Sequence, residues 1–244
     1  MEWLLKLLLV SVRVSPLFAG TPVFGSVPVP VSARIVLLVA LSCALVSRVP
    51  LPEVQLVLLP QWALFELLVG ATFAAGLHAG FAAFHFGGRL LDLQIGFGLA
   101  NLVDFSNNAS MPLIGTAVSM VAVLTFLSVD GHHELLRALQ LSLVKLPPGG
   151  TLSDIDVGAV VAQFGAAFSF GFAVVAPVVL CLLLIDVGMA YMSRTMPQMN
   201  VFILSLGVKV FVGLVVLAIS LPFAGGVMLR VFDAIFDGWA AVLS

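Results

Sequence analysis

Residues 172–208 read FAVVAPVVLCLLLIDVGMAYMSRTMPQMNVFILSLGV. This long apolar run is broken by Asp186, by Arg194 and by the block Met196-Pro197-Gln198-Met199-Asn200, and then resumes. A charge at the centre of a lipid-facing helix costs several kcal/mol. Pro197 also removes a backbone donor in mid-run and predicts the end or a kink of a helix there. Broken helices and ionisable groups at membrane depth face other protein or water. The stretch therefore predicts a multi-segment membrane protein built around internal contacts, all-α, with broken helices and helical hairpins. Composition agrees: 61% of residues are hydrophobic and 9% charged, against about a quarter charged in soluble domains. The net charge of −2 gives no basic footprint for nucleic acid.

Apolar runs fall at about 3–19, 31–49, 62–86, 90–103, 113–129, 157–192 and 202–221, and together they predict about six helices. Crossing the hydrocarbon layer takes ~20 apolar residues, and few of these runs supply them uninterrupted. The third contains Glu66, His78 and His85, and the fourth Asp92 and Gln94. The N-terminus reads as a retained first hydrophobic segment, with Glu2 before its core, Arg13 within it and no convincing cleavage site. Loops are marked by proline and glycine over 20–30 and 50–60, and by the polar segment Asp104–Pro112 (DFSNNASMP). Residues 130–156 form the longest polar region. It predicts one amphipathic helix, with Leu135, Leu136, Leu139, Leu143 and Leu146 on a single face, followed by the turn Pro147-Pro148-Gly149-Gly150. Most Lys and Arg lie inside the apolar runs, so charge assigns no orientation.

Asp186 and Arg194 are about 12 Å apart on a straight helix, beyond direct bonding. Lys209 approaches Asp186 if the helices either side of Pro197 fold back as a hairpin. Arg89 and Asp92 are spaced to pair on one helix face. Ala71, Ala75, Ala79 and Ala83, with Gly76 and Gly80, form a small-residue stripe suited to close helix packing. The adjacent His132 and His133 read as residues of a solvated loop, because no metal-ligand spacing accompanies them. No phosphate loop, nucleophile elbow or zinc-protease motif is present. The residues make no case for catalysis and none for a cofactor or metal.

Three blocks in order carry a resemblance. The first is Arg13-x-x-Pro16 with Pro28 and Arg34. The second is Gln94-x-Gly96-Phe97 with Asp104, then Met111-Pro112-Leu113 and Asp130-Gly131-His132. The third is Asp186-x-Gly188-x-Ala190, Arg194, Pro197-Gln198-x-Asn200-x-Phe202 and Lys209. Over nearly its whole length the chain resembles the FliR/SctT family of type III secretion export-gate proteins. It departs from many flagellar relatives at Phe105, where they carry proline.

The resemblance implies a single export-gate domain over 1–244. Its N-terminal helices (1–130) contain a plug-like loop, a polar connector covers 131–156, and a C-terminal helical hairpin region covers 157–244. It implies a structural subunit of the flagellar export channel in the bacterial inner membrane, at the flagellar basal body. The partners it implies are FliP-like, FliQ-like and FlhB-like subunits, exported flagellar proteins in transit, and membrane lipid. The plug would be Asp104, Phe105, Ser106, Asn107, Asn108, Ala109, Ser110, Met111 and Pro112. Polar residues used in assembly would be Arg13, Arg34, Glu66, Gln94, Asp186, Arg194, Pro197, Gln198, Asn200 and Lys209. The Asp130-Gly131-His132 motif tilts the choice toward the flagellum over an injectisome. The rivals from other classes are an ion-coupled transporter using Glu66, His78, Asp186 and Arg194 as a relay, and a scaffold without pore exposure.

Overall fold

A computed structural model describes residues 2–20, 30–48, 56–97, 112–150, 156–198 and 200–242. Among the described residues there are seven α-helices and no strand. In chain order they are α1 (Glu2–Gly20), α2 (Val31–Arg48), α3 (Leu59–Ile95), α4 (Leu113–Ser128), α5 (Gly131–Lys145), α6 (Val157–Thr195) and α7 (Val201–Val242). By length and composition α3, α6 and α7 are apolar enough to cross a membrane. A fourth candidate arises if α4 and α5 are taken as one bent span.

The chain divides into two compact units. One comprises Met1–Gly80, Phe126–Ala167 and Phe232–Ser244, and the other Phe81–Thr125 and Phe168–Val231. Leu9, Val14, Val69, Phe73, Leu77 and Leu139 are among the buried residues of the first unit. Two aromatic pairs brace it, Phe73–Trp239 with centroids 5.4 Å apart and Phe126–Phe232 at 5.3 Å, each in the tilted geometry aromatic quadrupoles favour. In the second unit the buried residues include Phe84, Leu91, Ile114, Val118, Val178 and Leu182.

Several local features follow from single residues. Pro16 lies inside α1 and leaves the Val12 carbonyl without its helical N–H. The Ser15 hydroxyl donates to that carbonyl at 2.9 Å, so the helix continues. In place of the two runs at 62–86 and 90–103, α3 is one continuous helix of 37 residues. The Gly87-Gly88 pair between those runs serves close approach within the second unit. A Cβ at Gly88 would lie 2.6 Å from the Gly115 Cα, and one at Gly87 would crowd Val175.

The predicted amphipathic helix is α5. It buries Leu135, Leu139 and Leu143, with Leu146 buried just beyond its end, while Leu136 turns outward. The turn after it is also found. Gly149 adopts φ +99, and a Cβ there would strike the Trp62 ring. His132 and His133 sit exposed in the first turn of α5, which corrects the loop expectation. Asp130 makes this possible by taking a left-handed conformation, φ 56, which aspartate tolerates better than most residues. The break at Pro197 is as expected, with α6 ending at Thr195, a turn at Pro197-Gln198, and α7 opening at Val201.

Candidate functional site

Among the described residues, three polar junctions gather side chains that the sequence singled out. The first, in the first unit, centres on Arg13, which is 1% exposed. Its Nε donates to Glu66 Oε2 at 2.6 Å and its Nη2 to Glu66 Oε1 at 2.8 Å. This is the two-pronged fork that guanidinium and carboxylate geometry allow. Two further N–H donors are used, Nη1 on the Ser142 hydroxyl at 3.1 Å and Nη2 on the Leu146 carbonyl at 2.6 Å. Gly70 admits the arrangement, because a Cβ there would collide with the Arg13 backbone carbonyl. One cation thus joins α1, α3 and the end of α5. A buried ion pair is tolerated only when such extra hydrogen bonds satisfy what the pair leaves open. Sequence reading named Arg13 and Glu66 separately and missed Ser142 and Leu146.

The second junction, in the second unit, is Asp92, 3% exposed on α3. Its two carboxylate oxygens accept the backbone N–H groups of Ile114 and Gly115, each at 2.9 Å. These are orphan donors of the first turn of α4, where a negative charge is also favoured by the helix dipole. The expected pairing of Asp92 with Arg89 is therefore corrected: the carboxylate caps a neighbouring helix, and Arg89 is exposed. The Asp92 carbonyl accepts the Gly96 N–H at 3.2 Å, and Gly96 turns to φ +103. Of the plug-loop residues expected from sequence, Asp104 to Met111 lie outside the described residues. Pro112, half-buried, immediately precedes α4.

The third junction is the α6–α7 hairpin. Lys209 forms an ion pair with Asp186, the fold-back contact the sequence suggested. The next inward contact is Gly213, where a Cβ would press on Ile95 and Leu182. Arg194, Pro197, Gln198 and Asn200 are exposed at the hairpin tip. The Asn200 side chain sits 3.4 Å from the Ile203 N–H, as a helix cap. Arg34 is half-buried on α2. Gln94 is half-buried too, and its Oε1 is a buried acceptor without a hydrogen-bond partner among the described residues.

Of the residues named for an ion relay, His78 is half-buried on α3. Glu66 is held by Arg13, Asp186 by Lys209, and Arg194 is exposed. His85 Nδ1 lies 3.4 Å from the Ser119 hydroxyl, but that hydroxyl already donates to the Gly115 carbonyl at 2.7 Å. Asp130, His132 and His133 bring ligand atoms within 4.8 Å of one another, all exposed. The Asp130 carboxylate sits 3.2 Å from His133 Nδ1, and nothing encloses the group.

Comparison with known proteins adds a second line of observation. The pattern of the family described as Bacterial export proteins, family 1, matches residues 4–235. Flagellar biosynthetic protein FliR of Bacillus subtilis is 32% identical over 93% of this chain and 90% of its own length. The FliR protein of Escherichia coli is 24% identical over 100% of this chain and 95% of its own. Secretion system apparatus protein SsaT of Salmonella typhimurium is 26% identical over 65% of this chain and 62% of its own.

Proposed function

This chain belongs to the FliR family of bacterial export proteins, and from that premise we propose how it works: as a structural component of the flagellar export gate, supplying part of a conduit for unfolded subunits. The observation that carries the reading is the α6–α7 hairpin. Its arms have 39 and 42 residues, roughly 60 Å of helix each, about twice the hydrocarbon thickness. Only 6% of the most apolar window of α7 is covered by its own chain, against 61% for α3. A hydrophobic rod longer than the bilayer needs other protein along the part that lipid does not reach. Complex formation with other export components answers that need.

Within the proposal the partners are FliP-like and FliQ-like subunits with an FlhB-like neighbour, and the site is the bacterial inner membrane. The exposed tip residues Arg194, Pro197, Gln198 and Asn200, and the unsatisfied Gln94 acceptor, are contacts for those partners. The segment 104–112 is the plug, and Asp92 anchors the helix that follows it. The work is structural, with no catalytic step. The SsaT likeness keeps an injectisome role as the second reading, over a smaller share of the chain.

Two experiments test this. Solubilised from its membrane, the tagged chain is expected to bring FliP- and FliQ-like subunits with it in fixed ratio. A solitary protein that transports ions in liposomes would refute the gate. Deleting 105–111 is expected to leave the complex intact while making cells permeable to small solutes, as read by dye uptake. Unchanged permeability removes the plug assignment.

A further inference from the structure

The first unit contains a groove between α2 and α5 that none of the three junctions uses. Its inner part, about 390 Å³, is almost wholly apolar and includes Phe18, Leu77, Phe126 and Leu135. Leu41 and Leu136 continue it into an outer part of about 670 Å³, lined by Asp130, His133, Glu134, Arg137 and Gln140. A greasy chamber thus opens onto a charged vestibule on one face of the unit.

The vestibule carries both signs. Glu134 and Arg137 form an ion pair at 2.6 Å, and Asp130 and His133 approach to 3.2 Å; Asp130, His133 and Arg137 are exposed and Glu134 is half-buried. Exposed pairs of this kind hold each other weakly, so both members are free to exchange partners. The helix that carries them is amphipathic, buried through Leu135, Leu139 and Leu143 and charged on its other side.

We propose that this groove binds a zwitterionic phospholipid, of the phosphatidylethanolamine class. One acyl chain enters the chamber between Leu41 and Phe126. The phosphate pairs with Arg137, and the ammonium with the carboxylates of Asp130 and Glu134. Charge complementarity decides between head groups: an anionic lipid would engage Arg137 through its phosphate and leave both carboxylates without a cation, and a neutral diacylglycerol would leave the vestibule unused. The site depends only on the protein being membrane-embedded, and so stands or falls separately from the export-gate reading.

The test uses the purified, assembled complex in vesicles containing phosphatidylethanolamine with a photoreactive acyl chain. Cross-linked peptides are expected from 31–48 and 131–145. Arg137→Glu is expected to lower that labelling about ten-fold, the scale of one lost charge-assisted pairing, while labelling of the exposed α7 face stays constant. Leu41→Trp, which fills the chamber mouth, is expected to abolish it. In the unaltered complex, unlabelled phosphatidylethanolamine is expected to compete about ten-fold better than phosphatidylglycerol or diacylglycerol; this comparison needs no variant to fold. Equal competition by all three lipids overturns the head-group assignment. Labelling confined to α6 and α7 overturns the site. A photoreactive residue at position 41 that captures a sister subunit in place of lipid assigns the groove to protein and overturns it as well.

Discussion

Glu66 has 0% of its surface exposed, and its partner Arg13 lies 53 residues away on another helix. Glu66→Ala leaves a guanidinium buried without its counter-ion, a change that costs about 3–5 kcal/mol. The expected outcome is a lower thermal midpoint and a poor yield of complex in detergent. Arg13→Met combined with Glu66→Leu is expected to recover part of the loss, because no buried charge remains. If the double variant is as poor as Glu66→Ala, charge pairing is not what holds this junction. Both residues stood out in the sequence as polar interruptions of apolar runs. Their pairing did not, because it is made between distant helices. The other Arg13 partners were less legible still: Ser142 lies on a helix whose apolar stripe drew attention first, and the Leu146 contact is a backbone carbonyl, which no side chain advertises. Asp92 was misread for a related reason. Its spacing from Arg89 suits a helix-face pair, but it caps α4, and amide donors leave no trace in residue type.

At the level of elements, patterns that repeat along the chain were readable and patterns that join elements were not. The leucine spacing of α5 gave its buried face, and Pro197 gave the hairpin break. Asp186 and Lys209 sit at equal distances either side of the Pro197-Gln198 turn, so a fold-back brings them level. The long α3 was read as two runs, because Gly87-Gly88-Arg89 resembles punctuation, whereas those glycines let backbones approach. The hairpin pairing has its own test. Asp186 is 46% and Lys209 19% exposed at the side chain, so each single reversal, Asp186→Lys or Lys209→Asp, is expected to cost about 0.5–1 kcal/mol. The exchanged pair is expected to restore most of it, measured as complex recovered at raised temperature. A double variant worse than either single one would show that these groups serve other partners.

For the molecule as a whole, the informative quantity is surface left uncovered. Phe223 on α7 is 80% exposed and Phe211 71%. Phe223→Ala removes no contact buried within this chain and places no charge in the apolar helix, so membrane insertion and the fold of the isolated chain are expected to be unchanged. Recovery of the multi-subunit complex is expected to fall severely, by ten-fold or about 1.4 kcal/mol at least, as read by blue-native electrophoresis. Full recovery would mean that this side of α7 meets lipid rather than a neighbour. The length of the hairpin also sets a clock. A bilayer conceals only part of each arm, and the chain itself covers the end of α7 through Phe232 and Trp239; within the proposed gate, the apolar surface still left bare is sheltered only from the moment another polypeptide arrives. A cell that made this protein well ahead of its companions would accumulate a sticky, protease-sensitive intermediate, which makes synchronous synthesis a physical requirement of the design.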